Sequence, residues 1–366
     1  MSLTRALFVG AFLALTPVHA AEPIRNVVVY HNPAHFAGWP ANEGMWSWGD
    51  EILVGFNLGR FEERGEKHSF VGDEWVAFAR SLDGGVSWKF EEHAEVRAPK
   101  AFGRQALPPF PEDIDFTHPD FVMKTRGKIA FLSKDRGHQW SGPYRLPETG
   151  QDINARTSYI VTGPKSALFF LPATVGDERG KRSRSFVAET TDGGQTLQFL
   201  SWIGEDLADT HPEEEIKDTA VFFSTMPAAI RLEDGRLICS VRNRVSRKKW
   251  TDIHESKDGG RTWNKISELE KGSTNPAALV SLGGEKLVAV YGNRRKAPAG
   301  LAAKESADGG RTWSEERVLR EDGRKWDLGY TRAALRPDGT VVILYYYTTE
   351  ALPEQHIGAT LWKPSL

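Results

Sequence analysis

"SKDGGRTW", residues 256–263, returns as "SADGGRTW" at residues 306–313. Three further copies align with this pair: "SLDGGVSW" (81–88), "SKDRGHQW" (133–140) and "TTDGGQTL" (190–197). The shared pattern is Ser/Thr-x-Asp-x-Gly-x-x-Trp, with Leu197 replacing the tryptophan once. Its aspartates, Asp83, Asp135, Asp192, Asp258 and Asp308, lie 50 to 66 residues apart. That period fits a unit of four short strands, one blade of a β-propeller. Five copies spread around a ring cannot share one active site, so the octamer is read as a folding device. Its aspartate accepts hydrogen bonds from the amides of its own turn, and glycine supplies backbone angles closed to other residues. The tryptophan is long enough to pack on the next blade.

A second repeat lies upstream of the boxes. "MPAAIRLEDGRLICSVRNR" (226–244) matches "NPAALVSLGGEKLVAVYGNR" (275–294), and "YTRAALRPDGTVVILYYY" (330–347) is the same hairpin again. Each reads as strand, tight turn, strand, with apolar residues in period two. "GMWSWGDEILVGFNLGR" and "RTSYIVTGPKSALFFLPA" are looser versions, and the unit around "THPDFVMKTRGKIAFL" is shorter. Six hairpins and five boxes predict an all-β, six-bladed propeller. The early strand "NVVVY" is expected to join the last blade and close the ring, which removes free sheet edges.

The remaining composition bounds the function. Residues 1–20 combine an early arginine, a short apolar run and a small-residue ending at Ala20, the pattern of a cleaved secretory signal. A secreted or periplasmic protein is expected, with residues 21–366 as one domain and as a monomer. The single cysteine, Cys239, excludes an internal disulfide. A net charge of −2 with no long one-sign run argues against nucleic acid and against an anionic membrane surface. No apolar run is long enough to span a bilayer. Twelve tryptophans suit stacking on sugars. No motif calls for a metal ion or a cofactor.

The geometry of a four-strand meander ranks the candidate site residues. The boxes are turns between strands three and four and occupy one face. Ends of strand two and starts of strand one crowd the opposite face near the axis. The first group holds Arg60, Arg244 and Arg294, the last two each 14 residues before a box aspartate. The second holds Glu43, His118, Asp120, Arg156, Asn275, Tyr330 and Arg332. Arginines converging with a tyrosine suit an anionic sugar, since guanidinium binds carboxylate through two hydrogen bonds.

Repeated Ser-x-Asp-x-Gly-x-Thr-Trp boxes on six units resemble the sialidase (neuraminidase) superfamily, over almost the whole mature chain. The resemblance implies a retaining exo-glycosidase in which three arginines hold the substrate carboxylate. A tyrosine helped by a glutamate attacks the anomeric carbon, and an aspartate serves as general acid/base. It assigns the nucleophile to Tyr330 in "GYTRAALRPDG", and two arginines to Arg244 (or its neighbour Arg242) in "VRNR" and Arg294 in "YGNR". The family's first arginine has no counterpart in "AGWPANEG", where Gly38 and Trp39 precede Pro40; Arg60 is the candidate substitute. The glutamate position falls in "STMPAA", which has no acid, so Glu43 is the candidate. The general acid is expected in "FEERGEKHSFVGDEW", with Asp73 favoured and His68 nearby. Two other readings stay open: a polysaccharide lyase using Tyr330 with His68 or His118, and a glycan-binding propeller without turnover.

Overall fold

Residues 341–347, Val-Val-Ile-Leu-Tyr-Tyr-Tyr, carry no polar face, and all seven are buried. Alternate side chains of a strand leave opposite faces of the sheet, so such a run requires apolar cover on both sides. Val342, Leu344 and Tyr346 enter one core cluster, and Val341, Ile343, Tyr345 and Tyr347 enter another. A stack of sheets, each covered by two neighbours, follows from sequences of this kind.

A computed structural model of the chain describes residues 23–65, 67–96, 106–177, 180–212, 222–272, 275–295 and 299–366. The expected secretory signal at 1–20 lies outside the described residues. Strand β1 (Arg25–Tyr30) is followed by β2 (His35–Gly38), β3 (Met45–Trp48), β4 (Glu51–Phe61), β5 (Phe70–Ser81) and β6 (Lys89–Glu91). β2 to β6 form one antiparallel sheet. The next holds only β7 (Val122–Arg126), β8 (Ile129–Ser133) and β9 (Ser141–Arg145). Then come β10 (Asp152–Ile153), β11 (Tyr159–Gly163), β12 (Ser166–Asp177), β13 (Gly180–Thr190) and β14 (Gln198–Trp202). β15 (Phe222–Arg231), β16 (Leu237–Val245), β17 (Lys248–Ser256) and β18 (Asn264–Lys271) follow, linked to that group by the parallel pair Ser183 and Phe223. β19 (Ala278–Gly283), β20 (Lys286–Asn293), β21 (Ala299–Ser306) and β22 (Arg317–Gly323) make a four-stranded meander. Finally β23 (Gly329–Leu335), β24 (Val341–Tyr347) and β25 (His356–Trp362) pair in series, and β1 adds to the outer edge of β25. Among the described residues the α-helices are two four-residue segments, α1 (Pro40–Glu43) and α2 (Leu207–Thr210). None is long and apolar enough to cross a membrane.

The core lies between sheets. One cluster joins β4 and β5 to β7 and β8, the next joins β7 and β8 to β12 and β13, and a third joins β12 and β13 to β16. Further clusters join β16 to β20, β20 to β24, and β24 back to β4 with Val29 of β1.

The boxes are built by their own side chains. In the box at 306–313, Ser306 Oγ accepts from Gly310 N at 2.9 Å, and Asp308 Oδ1 accepts from the amides of Arg311 and Thr312 at 3.0 and 2.9 Å. The boxes at 81–88 and 256–263 repeat this pattern. Arg136 stands where the other boxes have their first glycine, with φ of 59°. Its guanidinium meets Glu51 at 2.7 Å and Asp120 at 2.6 Å.

Candidate functional site

In three of the five boxes an amide reaches the turn between the first two strands of a sheet: Gly84 to Asp50, Gly193 to Lys165 and Gly309 to Glu285. Boxes and these turns therefore share one end of the strands. Tyr330 lies at the other end, at the start of β23.

Two backbone features fix Tyr330. Gly329 has φ of 96°, and a Cβ there would sit 3.0 Å from Gly292 Cα, so only glycine lets β20 and β23 approach this closely. Tyr330 itself has φ of 52°, a conformation that costs a non-glycine residue about 1–3 kcal/mol. The buried Asn275 holds it: Oδ1 accepts from Tyr330 N at 3.1 Å, and Nδ2 donates to Gly292 O at 3.1 Å. Strain held in place by a dedicated side chain marks a functional position more often than a packing one.

Arginines surround the phenol. Arg242 Nη1, near the end of β16, donates to Tyr330 Oη at 3.0 Å. The Arg294 guanidinium lies 5.5 Å from the Tyr330 ring centre. Burial pushes the Tyr330 pKa up, but Arg242, Arg294 and Arg156 outweigh it and hold the hydroxyl below the ordinary tyrosine value. The arrangement stabilises a phenolate. The Arg156 guanidinium makes no hydrogen bond or ion pair among the described residues. Burial, then the charge of Arg126, pulls its pKa down, while Tyr330 and Glu43 oppose.

A second polar chain adjoins the first. Arg294 Nη2 donates to Tyr346 Oη at 2.7 Å, and Tyr346 Oη donates to Asp327 Oδ1 at 2.5 Å. His68 Nδ1 lies 2.9 Å from the same oxygen, and Gln355 Nε2 donates to Oδ2 at 3.2 Å. Asp327 is 1 % exposed, whereas the His68 side chain is 42 % exposed. The imidazole is wedged against Trp39 and Trp326. With its Nδ1 turned to Asp327, its Nε2 is the ring atom left to exchange a proton.

Glu43 is fully buried at the end of α1 and contacts Lys124 Nζ, with Arg126 Nη1 at 3.6 Å. Burial raises its pKa, but Lys124 and Arg126 outweigh that and keep the carboxyl below the usual range. It is clamped as a carboxylate by these two cations. Arg332 is also a brace: Nη2 donates to the carbonyls of Ala41 and Thr157, and burial lowers its pKa to about 10. It lines both a narrow cavity beside Arg156 and Met226 and a cavity of about 370 Å³ among β3, β11, β15, β19 and β23.

Not every expected residue joins this group. Asp120 pairs with Arg136 at the box end, contrary to its expected place at the start of a first strand. The reason is local: among the described residues the β7–β9 sheet has no first strand, so "THPDF" runs into its second strand from the box side. Arg60, at the end of β4, and Asp73, in β5, are exposed, and their side chains make no hydrogen bond or ion pair among the described residues. Arg244 is exposed and donates to Ser246 O at 2.8 Å. Met226 holds the position expected for a glutamate, and its Sδ accepts from Arg242 at 3.6 Å. Sequence reasoning left out Asp327, Tyr346 and the Lys124–Arg126 pair. Lys124 was recognisable as a lone charge inside an apolar strand; Asp327, in a loop, carried no signal. Among the described residues no group of three or more His, Cys, Asp or Glu side chains is arranged to hold a metal ion.

The chain matches the family model described as a BNR repeat-like domain over residues 117–343. No curated protein matches it. A solved protein of unknown function from Dyadobacter fermentans DSM 18053 superposes with a TM-score of 0.67 at 19% identity, covering 93% of this chain and 99% of that one. The Hadza microbial sialidase Hz136 superposes with 0.57 at 15% identity, over 91% of this chain and 66% of its own. The endosialidase of phage phi92 gives 0.57 at 10% identity, over 94% and 69%. At these identities the likeness is one of fold, and the fold is of the β-propeller type.

Proposed function

Because the chain belongs to the BNR repeat-like domain family, whose wider superfamily is sialidase-like, we propose that it is a glycan-active enzyme acting on an acidic sugar. The observation that carries this reading is the Tyr330 hydroxyl held by Arg242 and ringed by Arg156 and Arg294. Guanidinium groups that touch the reacting oxygen also bind a carboxylate beside it. In a sugar whose carboxylate sits on the anomeric carbon, that carbon is then within reach of Tyr330 Oη.

A retaining hydrolysis follows. The phenolate attacks the anomeric carbon, the glycosidic C–O bond breaks, and a protonated His68 gives its proton to the leaving oxygen. His68 then takes a proton from water, which displaces tyrosine from the anomeric carbon. Asp327 orients the imidazole through its contact with Nδ1. An anionic carboxylate in place of tyrosine would repel the substrate's own acid group. Arg60, Arg244 and Asp120 are not assigned to this step, and Asp73 gives way to His68 as the proton donor. Glu43 and Arg332 hold the frame on which Arg156 rests.

One observation favours a second reading. No carboxylate among the described residues contacts Tyr330 Oη, and Met226 occupies the glutamate position. A phenolate without a carboxylate helper also suits abstraction of the proton next to a uronate carboxylate, the first step of lyase elimination. We further infer that the sheets are six blades, with β1 closing the ring and residues 21–366 as one exported, monomeric domain. The similar sialidases named above are consistent with sialosides as the first substrates to try.

The test is product analysis by NMR on sialylated and uronic-acid oligosaccharides, with Tyr330→Phe as control. Free sugar released first with retained anomeric configuration, lost at least about 10³-fold in Tyr330→Phe, supports the hydrolase. An unsaturated product absorbing in the ultraviolet selects the lyase. Silence across the panel refutes both and leaves a binding propeller.

A further inference from the structure

β15, β16 and β17 lie side by side and align Phe223, Arg244 and Lys249 in one cross-strand row. Directly opposed residues of antiparallel strands project from the same face. The next row on that face, about 6.7 Å along the strands, is Thr225, Arg242 and Thr251. Arg242 is the arginine bonded to Tyr330. The two rows are therefore one sugar-sized step apart.

Among the described residues nothing accounts for the outer row. Phe223 is 42 % exposed and has no aromatic partner there, Arg244 donates only to the carbonyl of Ser246, and the Lys249 ammonium makes no hydrogen bond or ion pair. Three carboxylates on the adjoining strands have partners of their own: Asp252 meets Lys265 at 2.6 Å, Glu268 meets Lys265 and Lys271 at 3.9 and 3.4 Å, and Glu270, opposite Thr251, accepts from Thr251 Oγ1 at 3.3 Å. Burial, then the charges of Arg244, Arg242 and Arg294, hold Lys249 below the usual lysine range. Like charges directly opposite in an antiparallel pair destabilise a sheet. An anion shared between them removes that cost, and an exposed aromatic face beside two cations offers a sugar ring a surface to stack on.

We propose that Phe223, Arg244 and Lys249 form a second subsite, which binds an anionic group, carboxylate or sulfate, on the sugar next to the one held at Tyr330. The proposal rests on the reading of the Tyr330 site above and sharpens its substrate class: a glycan with acid groups on adjacent residues. Arg244 thus binds substrate, but one sugar away from the reacting centre.

The experiment is calorimetric titration in a Tyr330→Phe background with three pairs of probes. These are sialic acid and its linked dimer, galacturonic acid and its dimer, and a uronate disaccharide with and without a sulfate. The expected result is a preference for the two-acid member of at least one pair. That preference falls about tenfold, the loss of roughly one ion-pair contact, in Arg244→Gln/Lys249→Gln. Phe223→Ala weakens it less. The melting temperature of the double variant holds or rises, because an unfavourable charge pair is removed; a structural role would lower it. The pair that shows the preference identifies carboxylate or sulfate as the anion. An unchanged preference in the double variant, or none in the parent, overturns the second subsite while Arg242→Ala still weakens monomer binding. If no acidic sugar binds the parent, the Tyr330 reading fails and the subsite with it.

Discussion

At the scale of single residues, Arg242 carries more of the proposed chemistry than any other side chain around Tyr330. Its charge, then that of Arg294, then its own hydrogen bond to Oη offset burial and favour the phenolate. In Arg242→Ala, burial acts with less opposition, so the Tyr330 pKa rises. The alkaline limb of the pH–rate profile then moves upward, and turnover at neutral pH falls about 10–100-fold, the worth of one hydrogen bond to a charged group. A profile that keeps its position while the rate drops would show that Arg242 only binds substrate. The choice between Arg242 and Arg244 was not legible in the sequence. Both lie on one face of β16, two residues apart, and only the reach of Tyr330 from β23 separates them. Tyr330 was legible, because Gly329 before it and the hairpin after it place it at a strand start.

At the scale of elements, the box turns were readable because every bond in them is local. Asp83 and Asp258 accept from the hydroxyl and amide of residues four positions on, and those contacts hold their pKa values at about 2. A depressed carboxylate pKa stabilises the fold above its unfolded value near 3.8, and the contribution is lost as pH falls towards 2. Histidines act at higher pH. Burial pulls His254 and His356 down to about 4. Below about 6.5 the unfolded chain takes up protons that these two cannot, so stability falls between about 6.5 and 4. Urea titrations at pH 7.5, 5 and 3 should show two successive losses. His356→Gln should flatten only the upper one, and Asp258→Asn only the lower one. A single loss confined below pH 4 would remove the histidines from this account. The three-stranded β7–β9 sheet was the element sequence reasoning misplaced: with its first strand missing, the count that locates strand ends slips, and Asp120 moves to the box end.

At the scale of the whole molecule, the core clusters run from each sheet to the next and return from β24 to β4, which supports a closed ring. Among the described residues β1 joins its sheet from far along the sequence. Its register against β25 spans Arg25 with Leu361 to Tyr30 with Ile357. Asn26 Oδ1 accepts from Thr360 Oγ1 at 2.7 Å, and Thr360 meets Tyr345 Oη at 2.7 Å. Val29 enters the cluster shared by the first and last sheets. Without β1, the edge of β25 would present unpaired amides and carbonyls along seven buried residues, a template for pairing between molecules. Val29→Asp places a carboxylate in that apolar cluster, and a loss of about 3 kcal/mol or more is expected. The variant should melt at lower temperature and aggregate, while Val28→Asp, at a position 50 % exposed on the same strand, should do neither. Equal behaviour of the two variants would mean that β1 lies on the molecule without closing it, and the last blade would then be complete with three strands.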